Sequence, residues 1–439
     1  MSSKYSIAIV LKSVLARWRR VAHGTPQLWE RIYLGRGFSH RLHILIPLWL
    51  TNSRVTPLDI HASLQDWDFD CDHRLMERDL VRFLLPSICR CRRLVSSMSI
   101  VAIEFLFGRD LVMPYLEELE IWLPVWSSLV VPKLGNIQTP RLRSIRLNDT
   151  GFITNAFHSP LLSVQHLQLT GQETFGLLSH SRCLDFIALC PNLQTCTLTL
   201  STDPGTPLRP PIILDSLCSL HLIFQFSPHD PIPFLRGLRT PHIERLTLQN
   251  HGGVSPVPHI RRVLNMLLSV RPHTIKELNL SSLFVPTSDW VPSLCELTEL
   301  TSLSITGDSL DEYFFDVLAA DVPLDPQTCP KLVSLKLHNV AGLLGLSGDR
   351  LVTFIRSRAP IHRDVPISVA DDQKHLSHVS LILCDLENHH KDQLRDIERE
   401  CNGALHLHGL DPSSPGTTLD LFNLIHPATQ NFIDDLESL

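Results

Sequence analysis

A chain of 439 residues, 44% hydrophobic and 19% charged with a net charge of −6, is long enough for a sizeable ordered core, and its acidic balance argues against a general nucleic-acid binder. Eleven cysteines without paired spacing read as reduced thiols, not a disulfide framework, which points to the cytoplasm or nucleus. The longest apolar run, Ile44 to Leu50, is far short of the roughly 20 residues a membrane-spanning helix needs, and Lys12 interrupts the early apolar stretch that a secretory signal would require. Charge is uneven along the chain: residues 1–50 carry eight Lys or Arg against Glu30 alone, which leaves about −13 for the rest. Residues 1–29 are basic, amphipathic and free of acid, a pattern that a mitochondrial presequence shares.

Taken in chain order, Ile7, Val10, Leu11, Val14, Leu15, Trp18, Val21 and Ala22 recur at three- and four-residue intervals and predict an amphipathic helix. Gly24 and Pro26 stop it, and Leu28, Trp29, Ile32 and Leu34 resume an apolar pattern. As physics alone this is a helix, a turn and a short second element around two tryptophans, suited to covering the open end of a repeat stack. A helix is expected from Leu75 to Leu85, then an irregular first repeat from Leu94 to Ile100.

From Leu116 to Leu381 one phrase recurs ten times, an apolar residue, two others, a second apolar residue, one more and a third. It reads Leu116-Leu119-Ile121, Leu142-Ile145-Leu147, Val164-Leu167-Leu169, Leu193-Cys196-Leu198, Leu217-Leu220-Leu222, Ile243-Leu246-Leu248, Ile275-Leu278-Leu280, Leu300-Leu303-Ile305, Leu332-Leu335-Leu337 and Leu376-Val379-Leu381. First positions lie 22 to 44 residues apart, mostly within or just above the period of leucine-rich repeats. The last two apolar residues straddle one outward residue on a short strand, and each unit buries its apolar side chains only by stacking on its neighbours. The predicted fold is therefore an α/β leucine-rich-repeat solenoid, with parallel strands on the concave face and helices such as 177–189, 260–270, 313–320 and 348–358 on the convex face.

Proline stands two residues before the opening apolar position at Pro114, Pro140, Pro191, Pro241 and Pro330, where it bars helix continuation and sets an extended turn. Exposed loops are expected at the Pro-rich stretch 203–211 and across 340–375. A charged helix from Leu386 to Glu400 caps the stack, and an acidic tail follows from Asp411. The outward strand residues Glu120, Arg146, Gln168, His221, Thr247, Asn279 and Lys336 are the candidates for binding a protein target, with Thr197, Ser304 and Ser380 at the same position of their repeats.

The head also carries a resemblance. Val14-Leu-Ala-Arg-Trp-Arg-Arg-Val-Ala-His-Gly-Thr-Pro-Gln-Leu-Trp-Glu-Arg-Ile-Tyr-Leu34 resembles the second half of an F-box, where a helix ending in a Trp-Arg pair and an alanine leads to a Pro-x-Leu-Trp turn. Leu48-Trp49-Leu50, Thr51 to Arg54, Pro57-Leu58 and Ile60 extend the likeness over about residues 10–62, as in F-box-like proteins of mushroom-forming fungi, in which leucine-rich repeats follow. The Leu-Pro-x-Glu-like opening of an F-box has no counterpart in residues 1–13. The resemblance implies a non-catalytic substrate receptor that needs no cofactor. Val14, Leu15, Trp18, Pro26, Leu28 and Trp29 would dock on the Skp adaptor of a cullin-type ubiquitin ligase, while the repeats hold the target. It divides the chain into a partial F-box-like helical segment (1–34), a connector with the irregular first repeat (35–110), the solenoid (111–385) and a capping helix with tail (386–439). The alternative is a repeat scaffold with no ligase connection.

A third reading comes from Gly307-Asp308-Ser309-Leu310 with Asp372 and His375 downstream, which resembles the nucleophile and Asp-x-x-His blocks of an esterase family. Its context fits a repeat turn better, since Gly307 stands where the chain must leave its strand. Among 23 histidines the nearest groups, His375/His378, His389/His390 and His406/His408, lack a His-Glu-x-x-His frame, so no metal site is expected. No phosphate-binding glycine loop is present.

Overall fold

The computed structural model describes residues 16–34, 42–63, 81–123, 132–171, 180–200, 210–224, 232–251, 260–268, 274–319, 328–343, 345–359, 375–401 and 403–410. Val14, Leu15, residues 203–209 of the loop expected at 203–211, residues 344 and 360–374 of the loop expected across 340–375, the start of the helix expected from Leu75, and the acidic tail lie outside the described residues; most of the rest of 340–375 is the helix Leu346–Arg358. The chain divides into two compact units, Met1–Leu217 and Cys218–Leu439, and each is a parallel α/β structure.

In the first unit, strands β1 (Arg31–Leu34), β2 (Leu58–Ser63), β3 (Cys91–Ser97), β4 (Glu118–Trp122), β5 (Ser144–Asn148), β6 (His166–Thr170) and β7 (Thr195–Leu200) pair in chain order, all parallel. In the second unit β8 (Ser219–Phe224), β9 (Arg245–Asn250), β10 (Glu277–Ser281), β11 (Ser302–Thr306), β12 (Ser334–His338), β13 (His378–Ile382) and β14 (His406–His408) do the same. The repeated phrase explains the register. Leu119, Ile145, Leu167 and Cys196 stand side by side in one unit, and Leu220, Leu246, Leu278, Leu303, Leu335 and Val379 in the other. All of these are buried. Full burial of a Leu or Ile side chain contributes about 1.5–3 kcal/mol relative to exposure, and here that burial comes from the neighbouring repeats.

The prolines are turn formers. Leu116, Leu142, Leu193 and Leu332 donate their N–H groups to the carbonyls of Met113, Thr139, Cys190 and Cys329, three residues back. This places Pro114, Pro140, Pro191 and Pro330 at the second position of a β-turn, where a fixed φ near −65° is already correct. The same bond closes Leu161–Val164, Leu214–Leu217 and Leu297–Leu300 without proline. The turn then delivers each chain to a shared acceptor: in unit two the carbonyls of Glu244, Lys276, Thr301 and Val333 each accept two successive N–H groups from the following repeat.

Several strand exits share a further feature. The residue after the strand has a positive φ at Asp149 (53°), Ser282 (53°), Gly307 (68°), Asn339 (51°) and Leu383 (54°). Asp149, Ser282, Gly307 and Asn339 donate their N–H groups to the last carbonyl of the next strand, on Thr170, Thr306, His338 and Ile382. At these positions a left-handed residue turns the chain off the sheet while keeping that bond; Met98 and Leu123 make the same bond, to the carbonyls of Trp122 and Asn148, without a positive φ.

In the second unit, helices Ile232–Arg236, Ile260–Leu268, Thr287–Leu294, Glu312–Ala319, Leu346–Arg358 and Asn388–Glu400 each pack on the next, so they form one row along one face of the sheet. The helix Asn388–Glu400 shows why: His390, Leu394 and Ile397 fall on one stripe and are buried, while Arg395 and Arg399 pair with Asp392 and Asp396 on the other side. The opposite sheet face carries the half-buried and exposed alternate residues of each strand.

Two ends differ from the sequence expectation. The sheet begins at Arg31, inside the stretch expected to be a helical head, and β2 and β3 follow before the first full phrase. Near the other end, β14 follows the expected capping helix and pairs with β13. The helix expected up to Leu85 is described only from residue 81, and Pro86 turns its end into a 3-10 segment, Leu85–Arg90.

Candidate interaction surfaces

The head is built around Trp29. Helix Ala16–Gly24 gives way at Thr25 to a 3-10 turn, Pro26–Trp29, with proline at its first positions, where its missing N–H costs nothing. Trp29 is fully buried, and its Nε1 donates to the Ala22 carbonyl at 2.6 Å. Its ring lies 6.2 Å from that of His23, whose Nδ1 sits 2.7 Å from Asn52 Oδ1 on the helix Leu42–Asn52. Helix, turn and following helix are thus tied at one point, and the chain enters β1 two residues after Trp29. Of the candidate docking residues, Pro26 and Leu28 are half-buried at the surface, beside exposed Val21 and Gln27. Trp18 lies on the helix Ala16–Gly24; Val14 and Leu15 lie outside the described residues.

The target-binding candidates fall into one file per unit. In the first, Tyr33, His61, Val95, Glu120, Arg146, Gln168 and Thr197 are register partners. In the second the file runs His221, Thr247, Asn279, Ser304, Lys336, Ser380 and His408. Arg146 and Lys336 are exposed, and Glu120, Gln168, His221, Thr247 and Asn279 are half-buried.

Most of these side chains are knitted to the adjacent repeat. Glu120 accepts from Trp122 Nε1 at 2.9 Å and from Arg146 Nη1 at 3.4 Å. Arg93 pairs with Glu118 at 2.8 Å, and Arg92 grips Asp59 with two bonds of 2.9 and 2.6 Å. In the second unit Asn279 donates to Thr247 at 3.2 Å, and His221 Nε2 lies 3.1 Å from Gln249 Oε1. Burial lowers the His221 pKa against the raising effect of Gln249, so its imidazole is neutral at physiological pH. His378 and His406 stack at 5.6 Å, and His338 Nε2 lies 3.2 Å from the Ser380 hydroxyl. The sequence reading missed Tyr33 and His61, stacked at 4.8 Å, because their strands lack the full phrase; the period-two alternation of Ile32 with Leu34 and of Leu58 with Ile60 was the available signal.

Gly307-Asp308-Ser309-Leu310 is occupied with holding repeats together. Gly307 has a positive φ, Asp308 Oδ1 accepts the Phe284 N–H at 2.7 Å, and Ser309 bridges to Ala341 in parallel. Asp372 lies outside the described residues. Among the described residues no helix is long and apolar enough to cross a membrane. No protein-family model matches the chain, and no curated protein matches its sequence.

Proposed function

We propose that this chain is a non-catalytic substrate receptor of the F-box type, with leucine-rich repeats that bind a protein target. The head presents Pro26 and Leu28 to a Skp adaptor, with Trp29 holding the turn in shape from below. The polar files led by Glu120–Arg146 and by His221–Lys336 hold the target for ubiquitination by a partner enzyme, and acceleration comes from proximity. The observation that carries this reading is the resemblance of residues 14–34 to an F-box, followed by repeats with an open polar face. Its setting is the cytoplasm or nucleus, in keeping with free cysteines such as Cys89 and Cys295.

The test is co-purification of the full chain with the Skp adaptor. Leu28→Ala should abolish it without unfolding the protein; failure of the wild-type chain to retain adaptor would overturn the reading. The second reading, a repeat scaffold without ligase connection, is favoured by one observation. The F-box-like segment runs straight into β1 and β2, as a cap on the first unit would.

A further inference from the structure

We propose that Asp349, His389 and His390 form a binding site for a borderline divalent cation such as zinc(II), joining two successive helices of the second unit. Asp349 lies in the first turn of Leu346–Arg358, and the two histidines lie in the first turn of Asn388–Glu400, which packs against it. One ligating atom from each residue falls within a common 4.8 Å. His390 Nε2 is 3.1 Å and His389 Nε2 3.8 Å from the same Asp349 oxygen, Oδ1. Ligand atoms around a tetrahedral zinc, with bonds of roughly 2.0–2.2 Å, stand about 3.3 Å apart, so the required adjustment is small and falls mainly on the exposed His389. Two imidazoles and one carboxylate leave a fourth position for water, while Glu387, whose Oε2 is 3.3 Å from His389 Nδ1, stands on the other ring nitrogen and orients that imidazole. Such a nitrogen-rich set suits zinc, cobalt, nickel or copper, whereas calcium and magnesium take oxygen.

The surroundings hold the histidine in place. His390 is fully buried with Nε2 turned towards Asp349, and its other nitrogen, Nδ1, has no hydrogen-bond partner among the described residues. The ring fits only because residue 348 is glycine: a Cβ there would stand 2.4 Å from His390 Cε1 and 2.5 Å from Nδ1. Glycine is a poor choice within a helix, and here it makes the cradle for this ring. Glu387 is fixed in turn by accepting the Gly345 N–H at 3.0 Å. Carboxylate and imidazoles come from consecutive helices, so a bound cation would cross-link two repeats.

The full chain, stripped with EDTA, would be titrated with zinc(II) alone, with bound metal counted after gel filtration and the ligand-field absorption of cobalt(II) reporting the ligand set. The expected result is a specific equivalent whose affinity falls at least about tenfold in His389→Ala and in Asp349→Asn, while His406→Ala leaves it unchanged. Zinc should raise the melting temperature of the wild type, and EDTA should reverse the rise. Both substituted side chains are exposed, so folding without metal can be verified by circular dichroism. Gly348→Ala, which displaces the His390 ring, should weaken binding as well. Equal zinc affinity and stoichiometry in the wild type and an Asp349→Asn/His389→Ala variant, or no zinc retained by the wild type, would overturn the proposal whatever the adaptor experiment gives.

Discussion

The indole of Trp29 and the carbonyl of Ala22, seven residues apart, meet at 2.6 Å with the ring wholly inside the protein. This contact makes Trp29 the keystone of the head, while its neighbour Leu28 remains half at the surface. Substitution should separate the two roles. Trp29→Ala is expected to cost about 3–5 kcal/mol through the cavity it leaves, and Trp29→Phe about 1–3 kcal/mol through the unpaired carbonyl. Leu28→Ala should cost much less in the same urea titration, yet, under the proposed function, be the variant that loses the adaptor.

Strand exits predict opposite effects for two substitutions. Gly307 has φ +68°, and an added Cβ would sit 2.7 Å from Ser282 Oγ, so Gly307→Ala should destabilise by about 1–2 kcal/mol. Pairing it with Ser282→Gly relieves the contact and should recover part of that loss. Leu383 carries φ +54° on an exposed, non-glycine residue. Leu383→Gly should therefore raise the thermal midpoint, by up to about 1 kcal/mol of stability.

Asp308 gives a pH test. Burial raises its pKa, opposed by the backbone N–H bonds of Phe284 and Leu283. A carboxyl whose folded pKa lies above its unfolded value adds stability below the unfolded value and loses it as pH rises through the folded one. Asp308→Asn keeps an acceptor for Phe284 without the buried charge. It should be at least as stable as the wild type at pH 7, with the advantage vanishing as pH falls below the ordinary aspartate range. Denaturant midpoints of the two proteins across pH 3–7 check this.

Thiol reactivity should follow depth. Burial pushes the thiols of Cys183, Cys190 and Cys329 up to about 12 and that of Cys196 well above its usual value. At pH 8 these four should resist alkylation in the folded protein, whereas exposed Cys89 and Cys295 react. Peptide mapping after a brief alkylation distinguishes the two groups.

The interior repeats were legible because the same three apolar positions recur and each must be buried. All ten phrases place their second and third residues on a strand. Legibility failed at the ends, where a repeat has fewer neighbours to satisfy. Arg31–Leu34 offers only Ile32 and Leu34, and Asp59 in β2 is tolerated at 7% exposure because Arg92, 33 residues on, grips it. The turn prolines were visible as punctuation, but their place inside a closed β-turn needed the carbonyl three residues back. The outward files followed from alternation alone. The Asp349–His390 contact spans 41 residues, and a search for ligand spacing along one helix passes over it.

Between Leu332 and Leu376 the chain runs 44 residues, against 22 between Leu142 and Val164, yet Leu335 still faces Val379 without a slip. Length is therefore free to vary wherever the chain is away from the sheet. The left-handed Asn339, bonded to the Ile382 carbonyl, and the Leu376 N–H, bonded to the Arg358 carbonyl, hold the two ends of this span, and the extra length between them does not disturb the alignment. A foreign segment inserted between Arg358 and Leu376 should leave the pairing of Ser334–His338 with His378–Ile382 intact, so the frame tolerates added length there at little cost.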